Sequence, residues 1–205
     1  ISSVDLNNSS FDHPQVWGKI ESSSRHAFFQ VISIVTTTGF VTSDYTAWTP
    51  FLTILFLGLM FMGGSAGSTS GGIKIVRHLL MIKGGILELK RALHPNAIIQ
   101  PRYNGKIVNQ EIILNVLAFF ILYMVSFITG SLVFGLLGLD FENAIGVAAA
   151  TLGNVGPAIG DFGPSGNYSE LPAFGKFWAS FLMLLGRLEL FTVLILFTPF
   201  FWKKT

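Results

Sequence analysis

Cysteine is absent from the 205 residues, and charge is scarce: Asp, Glu, Lys and Arg together make up 12% of the chain. Without cysteine there is no disulfide scaffold and no thiolate metal site. A soluble domain carries about 25% charged residues. Half that share excludes a soluble globular protein, and 51% hydrophobic residues with a mean hydropathy of +0.61 exclude a disordered chain. An initiator Met and a signal peptide are missing too, since the chain opens at Ile1 in a polar stretch. A piece of a longer protein is expected. What is plentiful is Phe (20) and Gly (22). The class left standing is an all-α integral membrane protein, multi-pass in the cell (inner or plasma) membrane.

The few charges are unevenly placed. Between Ile73 and Gln110 stand Lys74, Arg77, Lys83, Lys90, Arg91, Arg102 and Lys106 against Glu88. The segments 1–50 and 140–176 hold Asp5, Asp12, Glu21, Asp44, Asp140, Glu142, Asp161 and Glu170 against Lys19, Arg25 and Lys176. The positive-inside rule then puts 74–106 and the Lys203-Lys204 end in the cytoplasm and the acidic loops outside. The basic cluster is not read as a nucleic-acid patch, because few aromatics interleave it and both flanks are apolar. It is suited to anionic membrane lipid or to a cytosolic partner, with a solvated amphipathic surface as the plain alternative.

Along the chain, 1–26 is polar and turn-rich and is expected to be an external loop; Asn7, Asn8 and Asn167 each begin an N-x-[ST] sequon. Ala27 to Val35 is apolar but too short to span, and it ends at Thr36-Thr37-Thr38-Gly39-Phe40. A helix that enters the membrane and leaves by an extended stretch fits, as does a buried strand or an interfacial helix. The uncharged run from Phe51 decays into Gly63-Gly64-Ser65-Ala66-Gly67-Ser68-Thr69-Ser70-Gly71-Gly72. Five Gly and four Ser/Thr make a poor helix, so the span is expected to break there and resume at Ile73. Backbone of that kind at membrane depth is enclosed by protein or lines a water-filled cavity. Residues 95–110, with Pro95 and Asn104-Gly105, read as a cytoplasmic linker; Ile112 to Leu139 is 28 uncharged residues, a full span. Asn143 to Thr151 is again short and small-residue, ending in Gly153-Asn154-Val155-Gly156-Pro157, and Ala173 to Trp202 is the last span.

These elements recur. At an offset of 117, Ala27, Gly39, Asp44 and Tyr45 fall on Ala144, Gly156, Asp161 and Phe162. At an offset of 123, Phe51, Leu59, Met60 and Gly63 fall on Phe174, Leu182, Met183 and Gly186. The unit is helix, re-entrant pore loop, helix, and the first copy lacks its leading helix. At the two turns, 36–40 and 153–157, backbone carbonyls could desolvate an alkali cation, with Gly39 and Gly156 supplying φ > 0. The preceding short helices aim their negative ends inward, which favours a cation.

The TTTGF turn, GGSAGSTSGGIK (63–74), LKRALHPNA (89–97), TLGNVGP (151–157) and LLGRLELFTVL (184–194) closely resemble the Trk/Ktr/HKT superfamily of potassium transporters, in particular the membrane subunit of bacterial Trk-type uptake systems. The resemblance covers Ala27 to Phe200. It implies a chain of four pore repeats around one pore, of which 27–94 is the third without its first helix and 111–205 the fourth, roughly half a protein. It implies K+ uptake through a filter built from Thr36, Thr37, Thr38, Gly39, Phe40, Gly153, Asn154, Val155 and Gly156, with K+ held at Thr37, Thr38, Asn154 and Val155. It implies a flexible intramembrane gate at 63–72, a homodimer, and a nucleotide-binding regulatory ring on the cytoplasmic face. No cofactor is implied for this chain; K+ is the cargo.

Arg187 lies 14 residues from Ala173 and 15 from Trp202, so ~21 Å from either end of the expected helix, too far to snorkel. An intramembrane charge is a functional candidate. Arg187 is therefore expected to face the pore below the filter, repelling K+ and bonding the 63–72 loop. A salt bridge with Glu189 is excluded, since i and i+2 point ~200° apart on a helix. Two other functions fit parts of the sequence. One is an ion-coupled secondary transporter of K+ or Na+ (K+/Na+ or K+/H+ symport) with broken helices. The other is an intramembrane serine hydrolase, because Gly63-Gly64-Ser65-Ala66-Gly67 matches G-x-S-x-G. That motif belongs on a tight strand-to-helix turn, not in a Gly/Ser run.

Overall fold

The computed structural model describes residues 19–94, 101–188, 190–196 and 199–202. The sequons at Asn7 and Asn8, Glu189 and the Lys203-Lys204 end lie outside them. Eight helices carry the described chain: α1 Lys19–Val35, α2 Pro50–Met60, α3 Ile75–Leu93, α4 Gln110–Leu136, α5 Phe141–Gly153, α6 Ala173–Arg187, α7 Leu190–Leu196 and α8 Pro199–Trp202. Two tiny strand pairs interrupt them. β1 (Met62–Gly63) pairs in parallel with β2 (Ile73–Lys74), closing a loop over the Gly/Ser run. β3 (Arg102–Tyr103) pairs antiparallel with β4 (Lys106–Ile107) across Asn104-Gly105, both at positive φ (48° and 76°). That dipeptide is the one a two-residue hairpin turn requires.

Three expectations fall short of this geometry. The external loop 1–26 is too long by at least eight residues, because α1 already begins at Lys19. Its first turns are closed by a Glu21–Arg25 ion pair at 2.8 Å, the i,i+4 spacing that supports a helix. The last span is not continuous from Ala173 to Trp202. It stops at Arg187, and the axes of α6 and α7 differ by 118°. The linker 95–110 contains the β3–β4 hairpin in its described part. Among the described residues α4 is the one helix long and apolar enough to cross a bilayer by itself; α6 with α7 qualifies as a bent pair.

The core is centred on α5, where Ala144, Val147, Ala148, Ala149, Ala150 and Leu152 are all nearly inaccessible. Small side chains let α4 and α6 approach it from both sides. At Gly130 of α4 an added Cβ would stand 2.9 Å from Leu182 of α6 and 3.6 Å from Ala148. α2 joins through Phe56 and Met60, and Tyr45 stacks on Phe56 at 4.7 Å, fixing the loop after α1 against this centre.

Candidate ion pathway

α1 and α5 end in the same way. After α1, the amide of Thr37 donates to Ile34 O at 3.0 Å and that of Thr38 to Ser33 O at 2.9 Å. After α5, Asn154 N donates to Thr151 O at 3.1 Å and Val155 N to Ala150 O at 2.9 Å. Every one of these four residues finds its counterpart 117 positions on. Both are Schellman-like ends, with Thr37 (φ 53°) and Asn154 (φ 55°) in the left-handed region. Asn enters that region readily; a β-branched Thr there is an outlier, and such strain of about 1–3 kcal/mol collects at functional sites. Two residues later Gly39 (φ 77°) and Gly156 (φ 107°) are left-handed again.

The two turns lie side by side. A Cβ on Gly39 would stand 2.4 Å from Val155 O, so no side chain fits there. Their outer carbonyls are tied back to the scaffold. Ser33 Oγ donates to Phe40 O at 2.6 Å, Tyr45 OH to Ala158 O at 2.7 Å, and Tyr168 OH to Gly156 O at 2.7 Å. Burial pushes the Tyr45 and Tyr168 phenols up, so both remain protonated donors. Among the described residues, no hydrogen bond engages the carbonyls of Thr37, Thr38, Gly39, Asn154 or Val155. Of the nine residues that the sequence proposes for a filter, Phe40 and Gly156 thus have carbonyls already committed.

Directly against these turns sits the 63–72 loop. Gly71 N donates to Thr37 Oγ1 at 3.1 Å, and a Cβ on Gly71 would come within 2.3 Å of Gly153 O. The loop is braced rather than slack. Gly64 N bonds Ser70 Oγ at 2.8 Å, Ser68 Oγ bonds Ser70 Oγ at 2.8 Å, and a turn closes from Ser68 N to Ser65 O at 3.0 Å. Lys74 holds it from inside: its Nζ reaches Ser68 O at 2.9 Å and also bonds Ser70 O. Arg187 donates from Nη1 to Thr69 O, the contact expected of it. Arg187 is the last residue of α6 rather than the middle of a longer helix, where its charge also complements the helix's negative end.

A cavity of about 190 Å³ beside the loop is lined by Lys74, Arg77 and Arg187 together with Ser68, Phe119 and Gly186. Arg77 stacks its guanidinium on Phe119 at 3.8 Å. Sequence reasoning placed Lys74 and Arg77 among cytoplasmic charges and missed their place at the loop. The one available signal was that Lys74 follows the Gly run with a single residue between. Ser33, Tyr45 and Tyr168 were also missed, as nothing in their spacing announces a carbonyl partner.

A family model described as TrkH, cation transport protein, matches residues 5–204. The chain belongs to the TrkH family. Among curated relatives, the Trk system potassium uptake protein TrkH of Escherichia coli is 42% identical over 178 residues, covering 87% of this chain and 36% of that one. Halomonas elongata TrkH is 41% identical over 180 residues, covering 88% and 37%. The crystal structure of the potassium transporter TrkH from Vibrio parahaemolyticus superposes with a TM-score of 0.83 at 37% identity, over 97% of this chain and 41% of that chain. The chain therefore spans well under half the length of the TrkH relatives it matches. TrkH proteins form a family of integral membrane transporters, not enzymes, so the G-x-S-x-G match at 63–67 is not a hydrolase site.

Proposed function

We propose that this chain contributes two filter segments and the gate of a channel-like K+ uptake pore in the cell membrane, multi-pass, with the basic residues from Lys83 to Lys106 on the cytoplasmic side and Lys74 and Arg77 at the gate loop. The observation that carries this reading is the pair of matched turns. Thr37 and Gly39 match Asn154 and Gly156 in left-handed geometry, the two turns lie in contact, and among the described residues no donor reaches the carbonyls of Thr37, Thr38, Gly39, Asn154 or Val155. Oxygen dipoles arranged so replace an ion's hydration shell. K+ binds at the carbonyls of Thr37, Thr38, Asn154 and Val155. The loop 63–72 closes the path beneath, and Lys74 and Arg187 hold it while adding positive charge that opposes K+. The four-repeat chain, the homodimer and the nucleotide-binding ring belong to this proposal as partners of the cytoplasmic and lateral faces.

The test is rescue of a K+-uptake-deficient cell at limiting K+ by the full-length transporter carrying these residues. Gly39→Ser is expected to lower the K+/Na+ uptake ratio, because its side chain drives into Val155 O. An unchanged ratio in a correctly inserted variant rejects the filter assignment.

A further inference from the structure

A second cavity lies away from the filter. Between α3 and α4 there is a cleft of about 360 Å³, lined on its apolar part by Met81, Leu87, Leu114 and Leu117 with Gly84 and Gly85. It is within the range of about 300–1,000 Å³ that small-molecule sites occupy. Its polar end is formed by Glu88 and Arg91 near the end of α3 and Gln110 at the start of α4, with Pro101 beside them. Glu88 and Arg91 pair at 2.6 Å. The hairpin brings further positive charge to the same end: Arg102 follows Pro101, and Lys83 ties the hairpin to α3 through Arg102 O at 3.1 Å and the Tyr103 ring at 5.5 Å.

We propose that this cleft binds an anionic phospholipid of the cytoplasmic leaflet, with one acyl chain between α3 and α4 and its phosphate at Arg91 and Arg102. The orientation rests on the proposed topology; the ion carried is irrelevant to it. The apolar lining suits a hydrocarbon chain. At the polar end Arg91, with Lys83 and Arg102 where the hairpin meets α3, outnumbers Glu88 and matches an anionic headgroup.

Gly85 gives the lever for a test, because a Cβ there meets nothing within 4 Å and a larger side chain can grow into the cleft. The full-length transporter is delipidated in detergent, mixed with equal amounts of phosphatidylglycerol and phosphatidylcholine of the same acyl composition, and examined by native mass spectrometry. Wild type is expected to retain phosphatidylglycerol several-fold over phosphatidylcholine. Gly85→Leu should lose most of that retention with helix content intact. Arg91→Gln with Arg102→Gln should bring the preference towards unity while total bound lipid stays. Equal retention of the two lipids by wild type, or undiminished phosphatidylglycerol in both variants, overturns the proposal. So does a Gly85→Leu protein whose lipid is unchanged and whose oligomer dissociates on size exclusion, which would give the cleft to a second copy. None of these measurements reads transport, so their failure is distinct from failure of the pore assignment.

Discussion

α5 is enclosed by α4 and α6 and buries alanines and valine, whereas α1 is turned inside out. Apart from Ile34, the buried residues of α1 are polar (Ser22, Ser23, His26, Gln30 and Ser33), while Ile20, Phe28 and Ile32 are 60–71% exposed. The polar face works as a ladder on the following loop: His26 bonds Thr42 Oγ1 at 3.0 Å, Gln30 bonds Ser43 O, and Ser33 bonds Phe40 O. In the second repeat one residue, Asn143 at the position equivalent to His26, grips Asp161 by side chain and backbone at 2.6 and 2.9 Å. The rest of that turn is held from outside by Tyr45 and Tyr168. One backbone trace is thus secured by two different sets of bonds. An apolar outer face on α1 is what hydrocarbon or a further helix demands, and α5 shows the same face already covered by α4. The difference teaches that the turn geometry belongs to the repeat, while its fastening depends on what surrounds each copy.

The largest expected effect separates the two turn glycines. Gly39 is constrained twice, by φ and by Val155 O; Gly156 has nothing within 4 Å of an added Cβ and is constrained by φ alone. Gly39→Ala should therefore abolish most K+ uptake and ion discrimination, and Gly156→Ala should impair them less. Uptake ratios of K+ and Na+ in rescued cells measure both; equal losses would break the asymmetry.

Next in size is the proposed gate. The first repeat carries the Gly/Ser loop after α2, and the second carries Gly186-Arg187 at the place equivalent to Gly63-Gly64. Arg187→Ala removes the bond to Thr69 O and one charge, and should raise K+ flux several-fold. Lys74→Met frees the carbonyls of Ser68 and Ser70 and should act in the same direction. Flux measurements at fixed expression decide this, and lowered flux in both variants would mean the cations stabilise the open path instead.

Much of this was legible in sequence. The Gly/Ser run between α2 and α3, the long α4 with its uncharged stretch after Glu111, and the short α5 all follow from periodicity and breakers. The start of α1 was hidden because Ser22-Ser23-Ser24 has turn composition, yet Ser22 and Ser23 are buried against protein, where tertiary contact overrides propensity. Gly186 stands one residue before the end of α6, but a lone glycine is tolerated inside a helix, so local rules did not reveal the bend. The repeat spacing located the two turn glycines, but the hydroxyls and ammonium that fix the turns and loop come from elsewhere in the chain, and pattern alone does not pair them.

The smallest effect tests whether the two helix ends are interchangeable. Thr37 holds a left-handed conformation that its branched side chain resists, and Asn154 holds the same one at ease. Thr37→Asn should relieve about 1 kcal/mol of backbone strain, though it gives up the hydroxyl that accepts from Gly71 N. Asn154→Thr should import that strain and also lose the Nδ2 bond to Met183 O at 3.0 Å, for a net destabilisation of about 2 kcal/mol. Thermal unfolding of the detergent-purified full-length protein should then show Thr37→Asn level with or slightly above wild type and Asn154→Thr below it. If both fall equally, the hydroxyl of Thr37 matters more than its backbone, and the first turn is held chiefly by the 63–72 loop it touches.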